Sequence, residues 1–284
     1  MPLFHRAGYA IHYDIVGDQG PWVVLTPGGR GAMADVQQLA KGLAAQGYRV
    51  VIHDRRNCGR SDVFVDGEAS EQEVWVEDVY ALLLQLQALP VIAGGGSAGC
   101  RLSLLLAIKY PDAVRGLLLW WVTGGAYAAT ALAHEYYGQF IDIATEQGMV
   151  GICESEFFAA RIEDNPANRA RLLAMDPIAF IRVMQGWRDY FLRGAALPVI
   201  GATAEQLQAI KVPTLIIPGS DDIHPRASAV RLNELMAGSQ LQYPFERAEL
   251  DAIRNLPHDA LLQAFQQRLQ DHCQAFLLHN FAAL

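Results

Sequence analysis

The sequence predicts an α/β fold in which a mostly parallel sheet carries helices on both faces. Three observations lead to this fold class. Short continuous apolar runs, typical of strands covered on both faces, alternate with stretches of helical periodicity. A Gly-rich junction at 94–99 passes directly from an apolar run into a helix-patterned segment. A long aromatic-rich stretch without strand patterns, at 123–209, then interrupts the alternation and predicts a helical insertion.

The first part of the chain alternates regularly between strand and helix patterns. Strands are predicted at 10–16, 22–25, 48–52, 91–94 and 114–122. A helix with Val36 and Leu39 on its apolar face follows the second strand. Ser70 and Glu73 have the spacing of a capping box, which predicts a helix from there to about residue 86.

The last part of the chain restores the alternation. The patterns predict a strand at 212–217, a helix from about residue 227, a weaker strand at 241–245 and a long amphipathic terminal helix. We therefore expect a core domain formed by 1–122 and 210–284, with 123–209 as a helical cap inserted between two strands. Such an insertion lies above the carboxyl ends of the strands, where open α/β sheets bind ligands.

Composition narrows the classes of partner. The 284 residues are 52% hydrophobic and carry a net charge of −8 without a basic block, which excludes nucleic acid and anionic membranes as expected partners. No apolar run is long enough to span a membrane, and 1–12 does not have the pattern of a signal peptide. The cysteines lack C-x-x-C spacing, so we expect reduced thiols in a cytoplasmic protein.

The Gly-rich junction contains the pattern G-x-S-x-G, from Gly95 to Gly99, with Ser97 at its centre. A sharp strand-to-helix turn there holds the serine hydroxyl at the end of the sheet, in front of a helix N-terminus. A hydroxyl in that place can attack a carbonyl, and backbone N–H groups can bind the negative charge that develops. The alternatives are a structural turn and a phosphate loop. The phosphate loop is disfavoured because neither G-K-[ST] nor G-x-G-x-x-G is present.

Several segments resemble the α/β-hydrolase superfamily, nearly from end to end of the chain. The segments that carry the resemblance are 27–29 in the place of the oxyanion loop, 54–62, which resembles D-x-R-G-x-G-x-S-D, 95–99 as the nucleophile motif and 218–225 as the loop that carries the acid. Some of these motifs also resemble those of proline iminopeptidases. The resemblance implies Ser97 as nucleophile, His258 as general base, and the backbone N–H groups of Gly29 and Ala98 as the oxyanion hole.

The acid and the base depart from the family pattern. The loop at 218–225 is one residue short, so counting from Gly219 points to Asp222, whereas counting back from Pro225 points to Asp221. His258 lies farther from the last strand than is usual. His224 is an alternative base, but it is so close to the candidate acids in the chain that we do not expect it to reach Ser97.

A serine at this position argues against epoxide hydrolases and haloalkane dehalogenases, which use an aspartate there. It favours a serine hydrolase that cleaves a small carboxylic ester or lactone through an acyl-enzyme. A proline iminopeptidase-like aminopeptidase, a C–C bond hydrolase with Arg30 or Arg182 as a cationic contact, and a non-catalytic binding module are alternatives. The aromatic residues expected to line the substrate pocket are Trp120, Trp121, Tyr127, Trp187 and Tyr190.

No cofactor is expected for this chemistry. No metal site is expected either, because no cluster of histidine and acidic residues has ligand spacing and H-E-x-x-H is missing. The partner we expect is a small-molecule substrate. The sequence leaves the oligomeric state open, with a homodimer as one option.

Overall fold

The structure is a computed structural model that describes residues 2–246, 249, 253 and 256–281, with only the backbone of His258 included. Its centre is an eight-stranded sheet with the strand order β1-β2-β4-β3-β5-β6-β7-β8. The strands are β1 (Leu3–Arg6), β2 (Tyr9–Val16), β3 (Trp22–Thr26), β4 (Arg49–His53), β5 (Val91–Gly96), β6 (Val114–Trp120), β7 (Thr214–Ile217) and β8 (Ser239–Leu241). β2 pairs antiparallel with β1 and β4, and the remaining neighbours pair in parallel.

The predicted buried strands are confirmed. All six residues of β5 and all four of β7 are buried, as expected for parallel strands covered on both faces. β1 was not predicted, because Phe4 is its one buried residue and a short edge strand gives no alternating pattern. The last strand was expected at 241–245 but ends at Leu241, so that prediction was wrong in its bounds.

Helices cover both faces of the sheet, as predicted. The helices are α1 (Gln37–Ala44), α2 (Glu71–Gln85), α3 (Ala98–Lys109), α4 (Ala126–Ala133), α5 (Gln139–Glu154), α6 (Glu156–Asp164), α7 (Ala167–Leu173), α8 (Pro177–Arg193), α9 (Ala204–Ala209), α10 (Arg226–Leu235) and α11 (His258–Phe281). Apolar side chains of α2, α3 and α10 form the core on one face, and those of α1 and α11 form the core on the other. The predicted capping box of Ser70 and Glu73 starts α2.

The chain between β6 and β7 contains the helices α4 to α9. Its apolar residues form a third core with many buried aromatic side chains, in which Phe140 packs against Phe158 and Trp187 packs against Tyr137. A π-helical turn, His134–Gly138, joins α4 to α5. The cap boundaries at 123 and 209 stay a prediction. In the described part of the chain, none of the helices has the length and hydrophobicity needed to span a bilayer.

Candidate active site

Ser97 lies on a sharp turn between β5 and α3. Its backbone has φ 52° and ψ −109°, a conformation that L-residues rarely adopt. A Cβ atom on Gly99 would lie 2.1 Å from the carbonyl oxygen of Thr26, and one on Gly95 would lie 2.5 Å from the carbonyl carbon of Gly99. The turn therefore requires glycine on both sides of the serine, because strand and helix backbones nearly touch there.

The imidazole nearest to the serine hydroxyl is that of His224. Its Nε2 atom lies 2.8 Å from Ser97 Oγ, and the hydroxyl of Thr123 lies 3.4 Å from the same oxygen. The expectation that His224 cannot reach Ser97 is therefore wrong. The loop after β7 folds back tightly on itself: a Cβ atom on Gly219 would lie 2.4 Å from the Cβ of His224. This fold aims the imidazole across the end of β6 toward Ser97.

Asp221 lies on the other side of the imidazole. Its Oδ2 atom is 2.9 Å from His224 Nδ1, and its Oδ1 atom accepts the backbone N–H groups of Ile223 and His224. Partial burial would raise the pKa of the Asp221 carboxyl, but the hydrogen bonds from His224 and Ile223 outweigh it and lower that pKa. The carboxylate is thus held ionised, with its side chain 60% exposed.

The other two residues predicted for this machinery are not part of this contact chain. Asp222 is exposed, and among the described residues no hydrogen bond or ion pair reaches its carboxylate. His258 begins α11, and its side chain lies outside what the structure describes. Its role as general base therefore stays a prediction.

His53, at the end of β4, is a structural histidine. It is fully buried, and its Nε2 atom lies 3.0 Å from Thr26 Oγ1. Burial, with a further contribution from Arg55, lowers its pKa from 6.5 to about 3. The ring is therefore neutral at pH 7 and is occupied by its hydrogen bond.

The loop at 27–29 lies beside Ser97. A Cβ atom on Gly28 would lie 3.5 Å from the Cβ of Ser97. Arg55 fixes the position of this loop, because its Nη2 atom donates hydrogen bonds to the carbonyls of Gly28 at 3.2 Å and Gly29 at 2.8 Å. In a trans peptide the carbonyl and the N–H point in opposite directions, so the N–H of Gly29 points away from Arg55. The N–H of Ala98, at the start of α3, has no partner within its helix.

A cavity of about 360 Å³ opens beside this loop. It is lined by Gly28, Gly29, Trp120, Trp121 and Phe265, among others. The Trp121 ring stacks on Phe265 with a centroid separation of 4.8 Å and lies 6.0 Å from the His224 ring. The predicted residues Trp120 and Trp121 therefore line a cavity that adjoins the candidate site.

The three other aromatic residues predicted for the pocket lie elsewhere. Tyr127 is 64% exposed on α4. Trp187 is buried in the core of the α4–α9 segment, and its indole N–H donates to the carbonyl of Ala69 at 2.9 Å. The Tyr190 hydroxyl lies against Gly201, where a Cβ atom would be 2.3 Å from it. None of the three lines the 360 Å³ cavity.

A buried ion pair that sequence reasoning missed lies next to the loop. Glu71, at the start of α2, accepts hydrogen bonds from Arg30 at 2.7 Å, Asn57 at 3.0 Å and Tyr137 at 3.0 Å. These residues are far apart in the chain, and no local pattern links them. Within the described ranges, no three histidine, cysteine or acidic side chains are grouped so that they could hold a metal ion.

Comparisons with known proteins identify the alpha/beta hydrolase fold, whose family model matches residues 21–120. An uncharacterized hydrolase, YraK, of Bacillus subtilis is 32% identical over 39% of this chain and 40% of its own length. A proline iminopeptidase of Lactiplantibacillus plantarum is 24% identical over 84% of this chain and 91% of its own. A solved structure of a hydrolase from Pseudomonas aeruginosa PA01 has a TM-score of 0.65 at 21% identity, covering 97% of both chains. That structural likeness shows a shared fold.

Proposed function

We propose that this chain is a serine hydrolase of the α/β-hydrolase superfamily that cleaves a small carboxylic ester or lactone, which the family-model match to residues 21–120 and the likeness to proline iminopeptidase support. The observation that carries the proposal is the 2.8 Å contact between Ser97 Oγ and His224 Nε2 at a strained strand-to-helix turn. A serine hydroxyl becomes a nucleophile when a neighbouring base takes its proton. This geometry provides such a base.

In the first step Ser97 Oγ attacks the ester carbonyl carbon while its proton passes to His224 Nε2. Asp221 accepts the N–H of His224 Nδ1, which keeps Nε2 unprotonated at rest and stabilises the imidazolium that forms. The carbonyl oxygen becomes negatively charged. The N–H groups of Gly29 and Ala98 would bind this oxygen, since both are close to Ser97 and unused within secondary structure.

The second half of the cycle returns the proton. The imidazolium of His224 gives its Nε2 proton to the departing alcohol oxygen as the bond from carbon to that oxygen breaks. A water molecule then attacks the acyl carbon while His224 takes one of the water protons. The bond from that carbon to Ser97 Oγ breaks, His224 gives the proton to Oγ, and the carboxylic acid leaves. Thr123, 3.4 Å from the serine oxygen, helps to hold the resting hydroxyl in place.

An aminopeptidase activity is the second candidate, because the likeness to proline iminopeptidase extends over 84% of the chain. The charges near the site do not favour it. A free α-amino group needs carboxylates, whereas the buried charges in this region include the side chains of Arg30, Arg55 and Arg101, and Glu71 is already paired to Arg30. The glutamates of the insertion that could have served are exposed: Glu135, Glu146, Glu154, Glu156 and Glu163. We expect no release from proline naphthylamide.

The test is hydrolysis of short 4-nitrophenyl esters together with labelling of the serine by a fluorophosphonate. Ser97→Ala should abolish labelling and lower kcat by about 10⁴-fold or more, because the nucleophile is lost. Ser103→Ala is the matched control, since Ser103 is also buried on α3 but its hydroxyl contacts no described hydrogen-bond partner. Undiminished turnover by Ser97→Ala would overturn the proposal.

A further inference from the structure

Arg101 is a buried cation, and among the residues that the structure describes no carboxylate is in contact with it. It lies on α3, four residues after Ser97, and is fully buried. Its Nε atom lies 3.4 Å from Gln72 Oε1, and its guanidinium carbon lies 5.1 Å from the centroid of the Phe191 ring. Neither Nη1 nor Nη2 has a hydrogen-bond acceptor among the described residues. Burial lowers the pKa of Arg101, which reflects the cost of removing this charge from water.

Two further buried arginines have unused donors. Arg55 donates from Nη2 to backbone carbonyls of the loop at 27–29, and its Nε and Nη1 atoms have no acceptor within the described part of the chain. Arg30 donates a hydrogen bond from Nη2 to Glu71, and its Nε and Nη1 atoms likewise have no acceptor among the described residues. The amide nitrogen of Gln72 also has no described acceptor. Buried polar groups are normally paired, so this concentration of donors needs an explanation.

The nearby carboxylates do not neutralise the three arginines. Glu71 is the carboxylate in contact with these arginines, and of the three it pairs with Arg30 alone. Asp54 is buried as well, but its oxygens accept the backbone N–H groups of Met33 at 2.7 Å and Arg60 at 2.9 Å. Three guanidinium groups thus lie near two buried carboxylates, Glu71 and Asp54, which leaves an excess of one buried positive charge.

Tyr136 connects these arginines to the candidate active site. The guanidinium carbon of Arg30 lies 5.3 Å from the centroid of the Tyr136 ring, and that ring lies 6.0 Å from the ring of Phe191, which Arg101 also contacts. Burial raises the pKa of Tyr136, and the positive charges of Arg101, Arg30 and Arg55 act against that rise. Its hydroxyl would lie 3.6 Å from a Cβ atom on Gly29. The π-helical turn at 134–138 presents Tyr136 and Tyr137 together to this place, and such turns are frequent at functional sites.

We propose that Arg101, Arg55, Arg30, Gln72 and Tyr136 form a subsite that binds a carboxylate carried by the substrate. The inference rests on the proposed function, because it assigns the substrate of that same site to the class of anionic esters. A carboxylate supplies the acceptors that the guanidinium groups lack and offsets their charge. It would also bring the ester beside the loop at 27–29.

Turnover of paired esters tests the subsite. Mono-4-nitrophenyl adipate and 4-acetoxybenzoate carry a carboxylate on the acyl and the alcohol side, and 4-nitrophenyl hexanoate and 4-acetoxybenzamide are their neutral counterparts. We expect one of the anionic esters to have a kcat/KM at least about tenfold above its neutral counterpart. In Arg101→Met that ratio should fall about tenfold, while the exposed Arg182→Met should keep it. The inference would be overturned if, in the wild type, neither anionic ester had a higher kcat/KM than its neutral counterpart. It would also be overturned if Arg101→Met kept the wild-type ratio.

A second measurement does not depend on activity. Adipate should raise the Tm of Ser97→Ala relative to sodium chloride of equal ionic strength, and Arg101→Met should abolish that rise. Arg101→Met should unfold at the same temperature as the wild type or higher without adipate, because an unpaired buried charge has been removed. A lower Tm would indicate a structural role for Arg101 and overturn the inference.

The two proposals fail separately. If adipate stabilises the protein through Arg101 but a fluorophosphonate does not label Ser97, the hydrolase mechanism is wrong and the subsite stands. If Ser97 is labelled but no anionic preference and no stabilisation by adipate are found, the subsite is wrong and the hydrolase mechanism stands.

Discussion

His224 Nε2 lies 2.8 Å from Ser97 Oγ, although the two residues are 127 positions apart in the chain. The sheet order explains the contact. β5, which ends before Ser97, is separated from β7 by β6 alone, and the loops after β5 and β7 leave the same edge of the parallel sheet. The two loops therefore face each other across the end of β6.

Replacing the imidazole tests which histidine is the base. We expect His224→Gln to lower kcat for 4-nitrophenyl esters by about 10²- to 10⁴-fold, because the proton of Ser97 then has no acceptor at 2.8 Å. His258→Gln is the matched comparison, since the sequence prediction assigns the base to that residue. A loss confined to His258→Gln would restore the sequence prediction and remove His224 from the mechanism.

Replacing the acid distinguishes the two neighbouring aspartates. Asp221→Asn keeps the shape of the side chain but removes the charge beside His224 Nδ1, so we expect kcat to fall by about 10²- to 10⁴-fold. Asp222→Asn should have a much smaller effect, because among the described residues no hydrogen bond or ion pair reaches that carboxylate. Steady-state kinetics on both variants decides the assignment. A larger loss in Asp222→Asn would show that the acid is Asp222.

Adding a methyl group to the turn tests its tightness. The Cβ atom of Gly99→Ala would lie 2.1 Å from the backbone oxygen of Thr26, so β3 and α3 must move apart. We expect the free energy of unfolding in urea to fall by about 1–3 kcal/mol, with a loss of activity. Gly186→Ala is the control, because it lies within α8 with no atom within 4 Å of its Cβ position. It should raise stability by about 0.5–1 kcal/mol. Equal stabilities of the two variants would contradict the close packing of Gly99 against Thr26.

Acid should destabilise the protein through His53. Its pKa is 6.5 in the unfolded chain and about 3 in the folded protein, where burial keeps the ring neutral. Between pH 6.5 and 3 the unfolded chain therefore binds a proton that the folded protein does not. Stability falls as the pH decreases through this window, by up to about 1.4 kcal/mol per pH unit.

Urea unfolding at pH 7 and pH 5 measures this effect. Other groups contribute to the difference between the two pH values, so the comparison is with His53→Gln, in which this titration is absent. The decrease in stability from pH 7 to pH 5 should be smaller in His53→Gln than in the wild type. An equal decrease would show that His53 does not couple folding to pH.

The fold could be predicted because its signals are local. The continuous apolar runs of β3 to β7 identify strands, and the Gly-rich junction identifies the turn at Ser97, since each depends on neighbours in the sequence. β1 gave no such signal, because an edge strand with one buried side chain has no pattern.

The contacts around Ser97 could not be predicted in the same way. A histidine three residues after its acid can face a serine elsewhere only if the loop reverses direction, and that reversal depends on packing between Gly219 and His224. The missing residue in this loop was a sign of an unusual arrangement, but it did not indicate which one. The pair of Arg30 and Glu71 likewise depends on tertiary structure, because 41 positions separate the two residues.

Asp221 and His224 lie in one short loop and are joined by hydrogen bonds through both backbone and side chain. When acid and base belong to different segments, each can be displaced alone, and catalysis is lost in stages. Here the two share one short loop, so a displacement of the loop as a whole would keep their mutual geometry and change the distance from His224 to Ser97. Anything that shifts this loop by a few ångströms would act as an on–off control rather than a gradual one.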